Sequence, residues 1–167
     1  LHGISDFTIE YGDTLSNPKQ IDGGKLKSYD RVLANFPFSM DWDNKGAETD
    51  PYNRFRFGIP PTSGKADFAF IQHMYAQLNE KGMAAIVCSQ GVLFRGGVEA
   101  KIREGLIVED AIEAIIAIPA NLFFGTAIPA CVLILNKNKP TKRKNKIIFI
   151  YGAKDYLEGK NRNKLRD

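Results

Sequence analysis

Short apolar runs and stretches of helical periodicity take turns along this chain from Asp30 to Ile118, and that alternation narrows the available folds sharply. Asp30 to Ala34 reads as a strand ending at Asn35. From Lys65 to Lys81 the apolar residues Phe68, Ile71, Met74, Tyr75 and Leu78 fall at helical spacing, with Ser63 as the cap ahead and Gly82 as the stop. Met83 to Cys88 is then a buried strand, Val98 to Glu104 a short helix closed by Gly105, and Ala114 to Ile118 a strand ending at Pro119. Strand, helix, strand, helix, strand implies crossover connections, and so an α/β fold whose mostly parallel sheet is covered on both faces. Pro129 to Leu135 and Ile147 to Tyr151 are joined by a basic stretch without a helix, which predicts an antiparallel hairpin at one edge.

Ahead of this pattern, Phe7 to Glu10 is predicted as a further strand running into Tyr11-Gly12-Asp13, followed by a turn-rich link containing Asn17-Pro18 and Gly23-Gly24. Residues 39–64 show no sustained period and are predicted as a long loop, a kind of segment that is usually functional or mobile. Ligands of parallel α/β sheets bind beyond the carboxyl ends of the strands, which directs attention to Asp13, Asn35, Ser89 and Asn121.

At 167 residues the chain has the size of one ordinary domain, and its 44% apolar and 25% charged residues are a normal globular balance. No apolar run reaches the roughly 18 to 20 residues of a membrane span, so a soluble, cytoplasmic protein is expected. The opening on Leu1, straight into apolar alternation and without a signal-peptide pattern, reads as a cut rather than a natural terminus. Cys88 and Cys131 stand apart inside apolar runs and read as reduced core thiols; with only His2 and His73 beside them, no metal site is predicted. The net charge of +4 is concentrated at Lys137 to Lys146 and again at Lys160 to Arg166. Such runs are ordinarily solvated surface, and contact with phosphates would appear as strong salt dependence.

The sharpest local signal is Leu33-Ala34-Asn35-Phe36-Pro37-Phe38-Ser39 at the end of a strand. It resembles the Asn-Pro-Pro-Phe or Asn-Pro-Pro-Tyr motif of methyltransferases that alkylate an exocyclic amino group. The departure is Phe36, where that motif has its first Pro. Gly12-Asp13-Thr14-Leu15 upstream, and Gly64 to Ile71, Gly82 to Val87, Ile118 to Phe124 and Thr126 to Cys131 downstream, extend the likeness. In order and wording they resemble the methylation (M) subunit of type I restriction-modification systems, an N6-adenine DNA methyltransferase family, across nearly the whole chain.

The resemblance implies a Rossmann-like fold dependent on S-adenosylmethionine, with residues 1–152 as the second half of the catalytic domain and 153–167 as a basic tail. It implies that the Asn35 side-chain carbonyl and the Phe36 carbonyl accept hydrogen bonds from the amino group of an adenine flipped out of double-stranded DNA. Pro37 would shape the turn, and Phe38 would stack on the base. Asp13 would accept from the adenine amino group of the cofactor, with Asn35 also lining that site, and Phe124, or failing it Phe123, would close over the flipped base. A separate specificity (S) subunit and a restriction (R) subunit are the implied partners. Phe36 can supply the same carbonyl as proline but gives up its fixed φ. The transfer needs no strong base, since the proton leaves after the nitrogen has become cationic, so His73 is given no role.

Neither a glycine-rich cofactor loop after a first strand nor an acid for the ribose hydroxyls is found, since Gly23-Gly24 and Gly96-Gly97 lack the strand-then-helix setting. The chain alone is therefore expected to be inactive. Two alternatives stay open: the same chemistry on RNA or a protein glutamine, and a noncatalytic nucleic-acid-binding or assembly module in which Phe36 marks decay of the motif.

Overall fold

The computed structural model describes residues 3, 5–123 and 127–166. The first ordered elements are β1 (Ile21–Asp22) and β2 (Lys25–Leu26), a two-residue ribbon closed by Gly23 and Gly24. Both glycines have positive φ, which such a turn demands. Then come β3 (Tyr29–Asn35), α1 (Asp67–Ala76), β4 (Leu78–Ser89), α2 (Val98–Val108), β5 (Ile112–Ala117), β6 (Ala130–Asn136) and β7 (Ile148–Tyr151). A last ribbon pairs β8 (Tyr156–Leu157) with β9 (Lys164–Leu165).

β3 to β7 form one five-stranded sheet in the order β3-β4-β6-β5-β7. β3 pairs with β4 and β5 with β7 in parallel, while β6 runs antiparallel to both β4 and β5. Four strands thus share one direction and the α/β class stands, but the expected edge hairpin does not form: β6 and β7 are not neighbours. The physical reason is burial. Ala130, Cys131, Leu133 and Leu135 are all buried, so β6 belongs inside the sheet, whereas every residue of β7 is exposed, as an edge strand allows. The connection that produces an antiparallel neighbour, with no helix among its described residues, is the one from β5 into β6.

Other expected bounds shift. No strand forms at residues 7–10: nothing among the described residues hydrogen-bonds beside them, and Phe7 and Ile9 are exposed. α1 ends at Ala76 rather than Lys81, because Leu78 already pairs with Tyr29 and the register then jumps to Arg31 opposite Met83, leaving Asn79 to Gly82 as a bulge. α1 also begins without Ser63, its N-cap being Ala66. α2 runs through Gly105, which does not stop it; a Cβ there would lie 2.3 Å from the Phe57 ring, so glycine serves close packing.

One core joins the sheet to the helices, with Phe68, Ile71 and Tyr75 of α1 against Ile86 of β4, Ile102 and Leu106 of α2, and Leu133 and Leu135 of β6. Residues 39–64 are irregular, as expected, but ordered by a core of their own in which Leu15, Trp42, Ala47 and Phe55 pack beside Ala66 and Ala69. The Trp42 indole donates to the Pro61 carbonyl at 3.0 Å. The segment around Asn163 folds back: its side chain donates to the Ala120 carbonyl and its backbone N–H to that of Asn121.

Candidate functional site

Because β3 and β4 are parallel, their carboxyl ends open on the same side, and the turn after Asn35 meets the end of β4 there. The connection from β5 to β6 reaches the same place, with the Gln90 N–H donating to the Pro129 carbonyl at 3.0 Å. Asn35 is the last residue of β3, exposed, and its side-chain amide makes no hydrogen bond among the described residues. A strand alternates its side chains, so the burial of Phe36 follows from the exposure of Asn35. The Phe36 ring is only 6% exposed and stacks on Phe70 with centroids 4.8 Å apart and planes 14° from parallel.

Pro37 is exposed and Phe38 half-buried. The Phe38 ring is in edge contact with Phe36 at 6.3 Å and stands perpendicular to Phe123, also at 6.3 Å. Phe38 and Phe123 are thus brought together from distant parts of the sequence. Phe124 lies outside the described residues.

Asp13 belongs to a second cluster. Its Oδ1 accepts from the backbone N–H groups of Leu15 and Ser16 at 2.9 and 3.2 Å. Burial opposes the charged form, but these hydrogen bonds outweigh it and hold the carboxyl below its ordinary value. Both backbone bonds go to Oδ1, and an exposed carboxylate of this kind can still accept from an amino group. The loop is tied down by Arg54, which donates to the Thr14 carbonyl at 3.1 Å, to both oxygens of the buried Asp50, and toward His73 Nδ1 at 3.3 Å. Of the Asp50 contacts, the guanidinium takes Oδ1 and the Arg54 backbone N–H takes Oδ2. Arginine has only donors, so His73 must accept through Nδ1 and carry its proton on Nε2. A pocket lined by Glu10, Gly12, Thr14, Lys19 and His73 opens beside this loop.

Sequence reasoning missed Arg54, Asp67 and Arg95. Asp67, at the start of α1, is wholly buried and binds the Ser39 N–H and the Ser89 hydroxyl, both at 2.9 Å, and Arg95 at 3.0 Å. An acid in a first helical turn looks like an ordinary response to the helix dipole, so nothing local marks it out. Ser89, noted for its place after a strand, is part of this network. The cysteines are buried, free and directly opposite across β4 and β6, their sulfurs 3.7 Å apart; that contact and burial push the Cys88 thiol up.

Much of the first basic cluster is engaged internally. Lys139 is buried and donates to Asp110 at 2.5 Å, Lys137 reaches the Leu78 carbonyl, and Arg143 pairs with Glu113. Among the described residues no helix is long and apolar enough to cross a membrane.

The sheet has one antiparallel strand threaded between parallel ones, and the Asn-Phe-Pro-Phe turn lies at the carboxyl end of its edge strand β3, the arrangement of an α/β fold with a site beyond its strand ends. The match of all residues 1–167 to the N-6 DNA methylase model assigns the chain to that family. It is 40% identical over 164 residues to the type I restriction enzyme MjaVII methylase subunit of Methanocaldococcus jannaschii, covering 93% of this chain and 27% of that protein. It is 33% identical to the MpnII methylase subunit of Mycoplasma pneumoniae over 99% of this chain and 32% of the relative. Among solved structures, the type I restriction-modification methyltransferase subunit of Streptococcus thermophilus superposes with a TM-score of 0.82 at 41% identity, over 93% of this chain and 32% of that one. The chain thus spans about a third or less of the length of these relatives.

Proposed function

We propose that this chain is the second half of the catalytic domain of a type I modification subunit, acting in the cytoplasm, which methylates the exocyclic amino group of adenine flipped out of double-stranded DNA. In that reading residues 1–152 carry the chemistry and 153–167 lead into a following segment. Specificity and restriction subunits are its partners. The observation that carries the proposal is Asn35: a strand-end amide with no hydrogen-bond partner among the described residues, close in sequence to a Phe38 ring that stands perpendicular to Phe123.

S-adenosylmethionine, when bound, supplies an electrophilic methyl group. The exposed Asp13 carboxylate fits an amino group of that cofactor, and Asn35 is assigned to line the cofactor as well as the base. The Asn35 side-chain oxygen and the Phe36 carbonyl accept from the two amino hydrogens of the target, which localises the nitrogen lone pair. Such preorganised acceptors act through orientation and electrostatics rather than proton abstraction. Phe38 stacks on the base, with about 1 to 3 kcal/mol offsetting the few kcal/mol of flipping. Phe123 or Phe124 closes the other side. The Phe36 side chain points into the core, which leaves its carbonyl as its contribution to the site.

The test is Asn35→Ala in the full-length subunit assembled with its partners. Loss of at least about 100-fold in adenine methylation is expected, the scale on which single preorganised acceptors and donors act. Unchanged methylation would remove the proposal and favour a noncatalytic binding or assembly module.

A further inference from the structure

We infer that Asp67, together with Arg95, is a positioning residue that fixes the turn carrying Asn35 and Phe38; the inference rests on the function proposed above. Asp67 touches neither base nor cofactor in that reading. It joins three segments that meet at the carboxyl ends of β3 and β4. Its Oδ1 accepts from the Ser39 N–H at 2.9 Å, immediately after the Asn-Phe-Pro-Phe run. Its Oδ2 accepts from the Ser89 hydroxyl at the end of β4, at 2.9 Å, and from Arg95 Nη1 at 3.0 Å. The other Arg95 nitrogen, Nη2, reaches the hydroxyls of both Ser39 and Ser89 at 3.4 Å.

Three features mark this as more than a buried ion pair. Ser39 has a φ of +52°, a left-handed conformation that a serine holds only when its surroundings impose it, and the Asp67 bond falls on that residue's backbone. A Cβ on Gly91 would stand 2.6 Å from the Arg95 guanidinium, so the chain leaves room there for that group to lie over it. Arg95 is itself held from behind, by Glu99 Oε1 at 3.3 Å and by Arg103, which donates to the Arg95 carbonyl at 2.7 Å. The turn is therefore clamped to α1, β4 and the start of α2 at once. Two acceptors and a stacking ring are useful only if they keep their geometry, since a displacement of about 1 Å can cost about 100-fold in rate.

Asp67→Asn keeps the shape and one acceptor oxygen but loses the charge that Arg95 answers. Arg95→Ala removes the clamp from its partly exposed side, and Arg95→Lys restores the charge without the fork. Each variant is made in the full-length subunit, assembled with its partners, and given radiolabelled S-adenosylmethionine and unmethylated genomic DNA in single turnover. Cofactor and DNA dissociation constants should stay within about twofold of wild type while the transfer rate per bound cofactor falls about 10- to 100-fold, with Arg95→Lys recovering part of it. A purely structural role would lower the folded fraction and leave the rate per cofactor-bound molecule intact. A rate within about twofold of wild type in Arg95→Ala overturns the inference, even if Asp67→Asn fails to fold. Asn35→Ala, run alongside, separates the cases: if it abolishes transfer while Arg95→Ala does not, only the positioning role falls, and if it transfers normally the proposed function falls first.

Discussion

Phe36 is the residue at which the candidate motif departs from the Asn-Pro-Pro-aromatic motif it resembles, and its surroundings give the departure a physical account. The ring fills a core position against Phe70, with Phe38 on its edge, while the backbone at the same residue faces the end of β3. Side chain and carbonyl therefore serve different purposes, and decay of the motif is not needed to explain a phenylalanine there. Substituting the usual proline should cost stability rather than restore anything. Phe36→Pro loses most of a buried ring, for which large-to-small core changes give about 2 to 4 kcal/mol, against a gain of at most about 1 kcal/mol from the fixed φ. The urea midpoint should fall accordingly, and an unchanged or raised midpoint would show that the Phe36 ring contributes little. Asn35 and Phe38 can be picked out in the sequence from a strand end followed by a proline turn, whereas Phe123 enters only as the reserve to Phe124 ahead of the strand at Ala130. Asp67, Arg54 and Arg95 cannot be picked out, since what distinguishes them is burial beside partners far along the chain, as with Ser39 and Arg95.

α1 shows the same division between what periodicity reveals and what only packing decides. Its helical spacing predicts an apolar face, yet Gln72, His73 and Asp67 are buried with the apolar residues because polar partners wait on the far side. His73 is the instructive case: a lone imidazole without a catalytic role is nonetheless tied to Arg54 and so to the loop of Asp13. Burial first, and the Arg54 guanidinium next, lower its pKa from 6.5 to about 4, against the opposing charge of Asp50. The unfolded chain takes up a proton as pH falls below 6.5, whereas the folded chain does so only near 4. Stability should therefore be full above pH 6.5 and be lost on acidification toward 4, by up to about 1.4 kcal/mol per pH unit. Unfolding in urea at pH 7 and pH 5, followed by the fluorescence of Trp42, checks this; His73→Gln should flatten that part of the pH dependence. The strands teach a related lesson. Lengths and apolar runs identified β4 to β7 within a few residues, but strand order depends on which strand is apolar on both faces, and that placed β6 between β4 and β5.

The whole molecule carries an apolar margin that its own sheet does not cover. β3 is an edge strand, Leu33 on it is 83% exposed, and Phe7, Ile9 and Tyr11 in the segment before it are exposed as well. The relatives that share this family are about three times longer than the part this chain matches. In the proposed function the acid assigned to a cofactor amino group is Asp13. A single hydrogen bond to a charged group contributes about 1.5 to 3 kcal/mol, while micromolar affinity requires about 8 kcal/mol, so the Asp13 contact by itself falls far short of a cofactor site. Calorimetry with S-adenosylmethionine should accordingly give binding to the full-length subunit and none to this chain by itself, its folded state first checked by circular dichroism. Tight binding by the folded chain alone would mean that the pocket beside Gly12, Thr14 and His73 holds more of the cofactor than Asp13 can account for.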